Sequence, residues 1–186
     1  MRDYFNPYQI YESDCFVADY SLYTDGEIGV VISPQPFDDI KYFRLQRGRT
    51  ATPFGAINLE EHPEFIKGIS NCECFFFPHN ESDRNWILFL ELKYCTEENI
   101  SNYGLKVVEQ MSAILEKLIL NHLIDINRYN VYFNFSSPEN QPPFSNFMLS
   151  CDTALRIRDQ YNAHFLGFNH LLIATPQYIQ IPKKRI

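Results

Sequence analysis

Residues 86–95 read "WILFLELKYC", and the reading of this stretch decides the fold. A run of large apolar residues spells a buried strand, yet it carries Glu91 and Lys93 two positions apart. Side chains alternate along a strand, so Ile87, Phe89, Glu91 and Lys93 face one way and Leu88, Leu90, Leu92 and Tyr94 the other. An unpaired charge buried in a core is strongly unfavourable. The strand is therefore expected to be apolar where it enters a sheet and charged where it leaves.

The segment before it, "CECFFF" at 72–77, reads as a second strand with Glu73, Phe75 and Phe77 on one face. One antiparallel register sets Phe77 opposite Ile87, Phe75 opposite Phe89 and Glu73 opposite Glu91. A slip of one residue would send the two glutamates to opposite faces. Two carboxylates across a ladder repel, so one holds a proton unless a cation intervenes. Mg²⁺ or Mn²⁺ suits such a place, held by carboxylates, a carbonyl and water. A neighbouring lysine would then orient or deprotonate an attacking water, or stabilise charge building on a phosphate.

Working outward, the N-terminal part reads as short strands at 15–23, 27–33 and 40–46, with an Asp25-Gly26 turn signal between the first two. "HPEFIKGIS" at 62–70 reads as a short helix, Pro63 suiting its first turn and Gly68 its end. Ser101–His122 is the clearest helix, with Val107, Met111, Ile114 and Leu118 recurring at helical spacing. A strand at 129–135, a helix at 151–164 and a strand at 170–175 complete the pattern. The order predicts a mixed α/β (α+β) fold, a central mixed sheet with flanking helices, in one domain spanning 1–186.

Sixteen basic against 23 acidic residues give a net charge of −7, which counts against general adhesion to nucleic acid but not against a local basic site. Such a site is "KYFRLQRGR" at 41–49, where Arg47 and Arg49 beside Gly48 would contact phosphates if the loop approaches the Glu73/Glu91 face. The default for this segment is a solvated strand. No apolar run approaches a membrane span, and the N-terminal residues lack a signal-peptide core. Five cysteines without CxxC spacing point to reduced thiols in a cytoplasmic protein. Cys72 and Cys74 would share one strand face, as core thiols rather than zinc ligands. The sequence has no GxSxG elbow, P-loop, GxGxxG turn or HExxH pair, which leaves serine hydrolase, NTPase and dinucleotide readings unsupported.

Glu73, the connection, and then Glu91-Leu92-Lys93 resembles the acid…(D/E)xK signature of the PD-(D/E)xK nuclease superfamily, whose fold is restriction-endonuclease-like. The likeness covers about residues 60–135, the remaining strands and tail being elaborations. It implies a core of helix, β-meander carrying the motif, helix and further strand. It implies Glu73 and Glu91 as Mg²⁺ or Mn²⁺ ligands, with Glu64 or Glu61 of the first helix as an additional one. Lys93 would be the catalytic lysine, Gln110 of the following helix a polar active-site residue, and DNA or RNA the substrate. Two positions depart from the family pattern: Glu73 stands where Asp is usual, and Cys72 replaces a proline. Two other readings stay open: a catalytically inactive binding or assembly module on this fold, homo-oligomeric or not, and an unrelated α/β interaction protein.

Overall fold

The strand read at 86–94 runs from Asn85 to Leu92 and lies inside a six-stranded sheet. That sheet holds β1 (Gln9–Tyr11), β5 (Phe54–Asn58), β6 (Cys74–Pro78), β7 (Asn85–Leu92, the strand itself), β8 (Tyr129–Ser136) and β9 (Ala163–Gly167), in spatial order β1-β5-β6-β7-β8-β9. The remaining strands, β2 (Cys15–Asp19), β3 (Val30–Ser33), β4 (Phe43–Arg47), β10 (His170–Thr175) and β11 (Tyr178–Gln180), form a second sheet ordered β11-β10-β4-β2-β3. Among the described residues three α-helices accompany them: α1 (Pro63–Ile66), α2 (Gly104–Leu120) and α3 (Cys151–Tyr161). The computed structural model describes residues 1–80, 82–142, 144 and 151–183, with Cys151 described in its backbone only.

Alternation along β7 explains the layering. Ile87 and Phe89 pack with Val107, Met111, Ile114, Leu115 and Leu118 of α2, while Trp86, Leu88, Leu90 and Leu92 pack with Val17, Phe43, Leu45 and Leu171 of the second sheet. The six-stranded sheet is thus buried on both faces, by helices on one side and by five strands on the other. This is why β7 reads as an unbroken apolar run rather than as alternating polar and apolar residues. Both sheets are mixed. β5, β6 and β7 form an antiparallel meander, and β8 and β9 then add in parallel to β7 and to each other. In the second sheet β10 runs parallel to β4 and antiparallel to β11.

The fold class follows the sequence reading, and most of the strands and helices do too, with shorter spans. Four strands were not legible: β1, β5, β9 and β11. β5 carries Pro53 just before it and Gly55 within it, residues that weaken a strand pattern. Gly55 is there because the sheet passes beneath two rings. A Cβ at this position would lie 2.7 Å from the Tyr8 ring and 2.8 Å from that of Phe77. β9 begins inside the stretch read as helix to His164; Asn162, with φ of 51°, ends the helix after Tyr161. The central sheet therefore draws strands from both sides of residues 60–135, and α1 falls between the first and second strands of the meander rather than before it. Among the described residues no helix is long and apolar enough to cross a membrane.

Candidate active site

Register determines whether the glutamates meet. Phe75 pairs with Phe89, Cys74 with Leu90 and Phe76 with Leu88, the register expected from the sequence. At the end of this ladder the Glu73 N–H donates to the Leu90 carbonyl (3.1 Å), so Glu73 and Cys74 both oppose Leu90. Two residues against one is the signature of a bulge. It separates the two thiols expected on one face: Cys72 packs on the helix side and Cys74 between the sheets.

Beyond the bulge, Glu73 and Glu91 converge on a single ammonium. Lys93 Nζ lies 2.6 Å from Glu91 Oε1 and 3.4 Å from Glu73 Oε1. The cation between the carboxylates is thus supplied by the same strand. The side chains grade from interior to surface, Glu91 being 0%, Glu73 13% and Lys93 25% exposed. Lys93 is held in place by its own backbone, its N–H donating to Ser136 O of β8 at 2.9 Å. Behind Glu91 stands Gln110 of α2, whose Nε2 donates to the Asn71 carbonyl at 2.7 Å.

The electrostatics follow from burial. Glu73 is pushed up, first by loss of solvent and then by the charge of Glu91, with Lys93 opposing. Burial also raises Glu91, against the pull of Lys93, Gln110 and, further out, Lys106. For Lys93, burial acts downward, but the two carboxylates outweigh it and hold the ammonium well above its ordinary value. Burial and then both acids raise the Cys72 thiol, leaving it protonated and inert. The acid pair retains a proton to higher pH than free carboxyls do, and Lys93 stays charged.

The donor set fits a hard divalent ion in one respect that the ion pair does not use. Glu91 Oε2 is fully buried and meets no hydrogen-bond donor among the described residues, and Gln110 Oε1 is likewise without a partner. A buried carboxylate oxygen with no donor is costly unless something binds it. Among the described residues no three Asp, Glu, His or Cys side chains gather at metal-binding distance, so any ion here would take two carboxylates and complete its shell with carbonyl and water oxygens.

The third acid expected from the sequence does not join them. α1 is a single turn, and Glu64 projects from it into solvent, 88% exposed and 3.7 Å from Lys67. Glu61 instead accepts from Asn58 Nδ2 at 3.4 Å, at the other end of the β5–α1 connection. The arginines lie elsewhere as well. Tyr94 Oη donates to the Lys41 carbonyl (2.6 Å), which fixes the start of the basic segment near the site. β4 then runs away from it, placing Arg47 about 20 Å further along. There Arg47 Nη1 donates to Glu12 O and its N–H to Asp14 Oδ1, while Arg49 is exposed beyond it.

Two contributors were missed. Asp19 of β2 comes near enough to raise Glu73 further, and the Asp19 N–H donates to Tyr94 Oη at 3.4 Å. Asp19 carries no signal in the sequence, because it arrives from the other sheet. Tyr94 was findable by parity: it is the first residue after Lys93, and it points to the sheet-to-sheet side.

Fold and site together define a mixed α/β protein with an acid–acid–lysine cluster where its central strands end. No family model, curated protein or solved structure matches the chain.

Proposed function

We propose that this chain is a metal-dependent phosphodiesterase of the PD-(D/E)xK nuclease type, acting on DNA or RNA. The observation that carries this reading is the meeting of Glu73 and Glu91, 18 residues apart in the sequence, on the one ammonium of Lys93. The unpartnered buried oxygen of Glu91 supports it, as does the meander followed by α2 and a parallel strand. Glu73 and Glu91 would hold Mg²⁺ or Mn²⁺. That ion, when bound, supplies a nucleophilic water at neutral pH and neutralises charge on the phosphate. With the ion held by Glu73 and Glu91, Lys93 would offer its N–H donors to a water and to the phosphate oxygens. Gln110, anchored on Asn71, stands beside the Glu91 carboxylate as a polar neighbour. The thiols of Cys15, Cys72, Cys74 and Cys95 are free, in keeping with a cytoplasmic setting.

Cleavage of single- and double-stranded DNA and RNA with Mg²⁺ or Mn²⁺ tests the reading. Glu91→Ala and Lys93→Ala are each expected to lose at least about 10²-fold in rate. Activity that is unchanged in both ends the mechanism.

One observation favours a second reading. Glu91 is wholly buried and its charge already answered by Lys93, as in a structural ion cluster of a binding or assembly module. Calorimetry separates the two. Mn²⁺ binding that disappears in Glu91→Gln excludes the inert cluster, and absence of binding supports it.

A further inference from the structure

A large cavity lies away from the acid pair, against the outer face of the second sheet. It is a groove of about 810 Å³. Its floor is Gln46 of β4 with His170 and Leu172 of β10, and Phe168 and the loop after β8 form one wall. The volume is that of sites for nucleotide-sized ligands.

Three properties define what this groove accepts. The first is charge: in a chain of net charge −7, no carboxylate lines it among the described residues, while Lys183 does. A wall without acids in an acidic protein favours a neutral or anionic ligand. The second is its hydrogen-bonding equipment. His170 Nε2 meets Gln46 Oε1 at 3.0 Å, which leaves the Gln46 amide N–H groups and His170 Nδ1 for a ligand. Burial first, and Arg44 next, lower the His170 pKa, so the ring is a neutral hydrogen-bonding partner. Gln141 adds a second side-chain amide at the rim. The third is apolar surface, from Pro138, Pro142 and Leu172 and from Phe168, which is half-buried between the groove and the inter-sheet core. Amides that read ring edges, beside an aromatic face on which a ring stacks, are the means by which proteins hold nucleobases.

The wall is also built in advance. Asn169 Nδ2 donates to Ser137 O (3.0 Å) and Asn140 O (2.7 Å), and its Oδ1 accepts from Ser136 Oγ (2.9 Å) and Ser137 N (3.0 Å). These four bonds lock the β8 exit loop to the β9–β10 turn, so a ligand meets a surface already ordered.

We propose that this groove binds one nucleotide unit, its base between Phe168 and the Gln46–His170 pair and its phosphate at Lys183. The unit is either a free nucleotide or the end of a strand. The site stands independently of any metal at Glu73 and Glu91.

Titration calorimetry in EDTA, with AMP, GMP, CMP, UMP, adenosine and a 5′-phosphorylated pentanucleotide as probes, tests this without depending on the acid pair. At least one nucleotide probe is expected to bind with Kd below about 1 mM, and Gln46→Ala and His170→Ala each to weaken it at least about tenfold. AMP is expected to exceed adenosine, and Lys183→Ala to close that gap. Binding of the mononucleotides identifies a free nucleotide as ligand, and binding of the pentanucleotide alone identifies a strand end. Gln46→Ala touches only the outer face, so its effect is read in a folded protein, verified by circular dichroism. No binding by any probe, or binding unaltered in both Gln46→Ala and His170→Ala, overturns the proposal.

Discussion

At the scale of single residues, the Glu91–Lys93 pair is both essential and replaceable. Removing Lys93 alone leaves a fully buried carboxylate facing Glu73 with no cation between them. Lys93→Met is expected to destabilise the fold by about 3 kcal/mol in urea titrations. Adding Glu91→Leu should recover most of that loss, because a packed apolar pair avoids the desolvation that the ion pair only offsets. Failure of the double variant to recover would mean that the cluster organises the strand ends beyond its own charges. Glu73 adds a pH dependence whose sign follows from its shift. Its folded-state pKa is raised, up to about 8, so the folded protein holds this proton more tightly than the unfolded chain. The resulting stability is fully present below the unfolded value near pH 4.3 and is lost as pH rises through the folded value. Glu73→Gln is expected to flatten this part of the stability–pH curve between pH 4 and 9, and a parallel curve would refute the assignment. The nearness of Glu73 to Glu91 was legible from the matched apolar register of Phe75 with Phe89. Their direct cross-strand pairing was not met, because the bulge at Glu73 sets it opposite Leu90 and no sequence parity announces a bulge. Two residues apart on one strand, Glu91 and Lys93 read equally as a salt-bridged pair and as a catalytic pair, and nothing in one strand shows that the flexible four-carbon stem will also reach Glu73.

At the scale of elements, the informative positions are those where one strand approaches another. Gly48, just past β4, donates its N–H to Ile173 O of β10 at 3.0 Å, and a Cβ there would drive into that same carbonyl. Gly48→Ala must separate backbones rather than turn a side chain. It is expected to cost about 1–3 kcal/mol, with hydrogen exchange accelerated along the β4–β10 pair. Uniform acceleration instead would mean that the pair does not open by itself. Gly48 read as loop in the sequence and Gly55 went unassigned, since a glycine signals freedom equally well in a turn and under a crowded ladder. The helix α2, by contrast, was plain. Its stripe of Val107, Met111, Ile114 and Leu118 is buried, and the 3.6-residue period that reveals such a face is the one that buries it. Short edge strands such as β1 and β11, at three residues each, are too brief to show any period.

At the scale of the whole molecule, one sheet belongs to two cores. Ile114 packs on the helix side and Val17 between the sheets, yet both rest on the central strands. The two cores are therefore expected to melt together. Ile114→Ala and Val17→Ala should each lower the midpoint without separating near- and far-ultraviolet circular dichroism transitions. A variant whose transitions split would show that the second sheet unfolds independently. Charge and length bounded the molecule without locating its working parts. A net −7 gave no hint of a groove that no carboxylate lines among the described residues, because composition averages over the surface on which such a groove is a local exception.

The parallel pairing of β4 with β10 has a consequence for synthesis. His170 and Gln46, side by side in the finished sheet, are separated by 124 positions in the chain. While a ribosome extends the polypeptide, β2, β3 and β4 can zip together early, but the free edge of β4 must wait for most of the chain to emerge. Such an edge is an adhesive template until it is covered. The nascent chain thus carries an uncovered edge from the emergence of β4 onward, and β10 is the strand whose arrival ends that hazard.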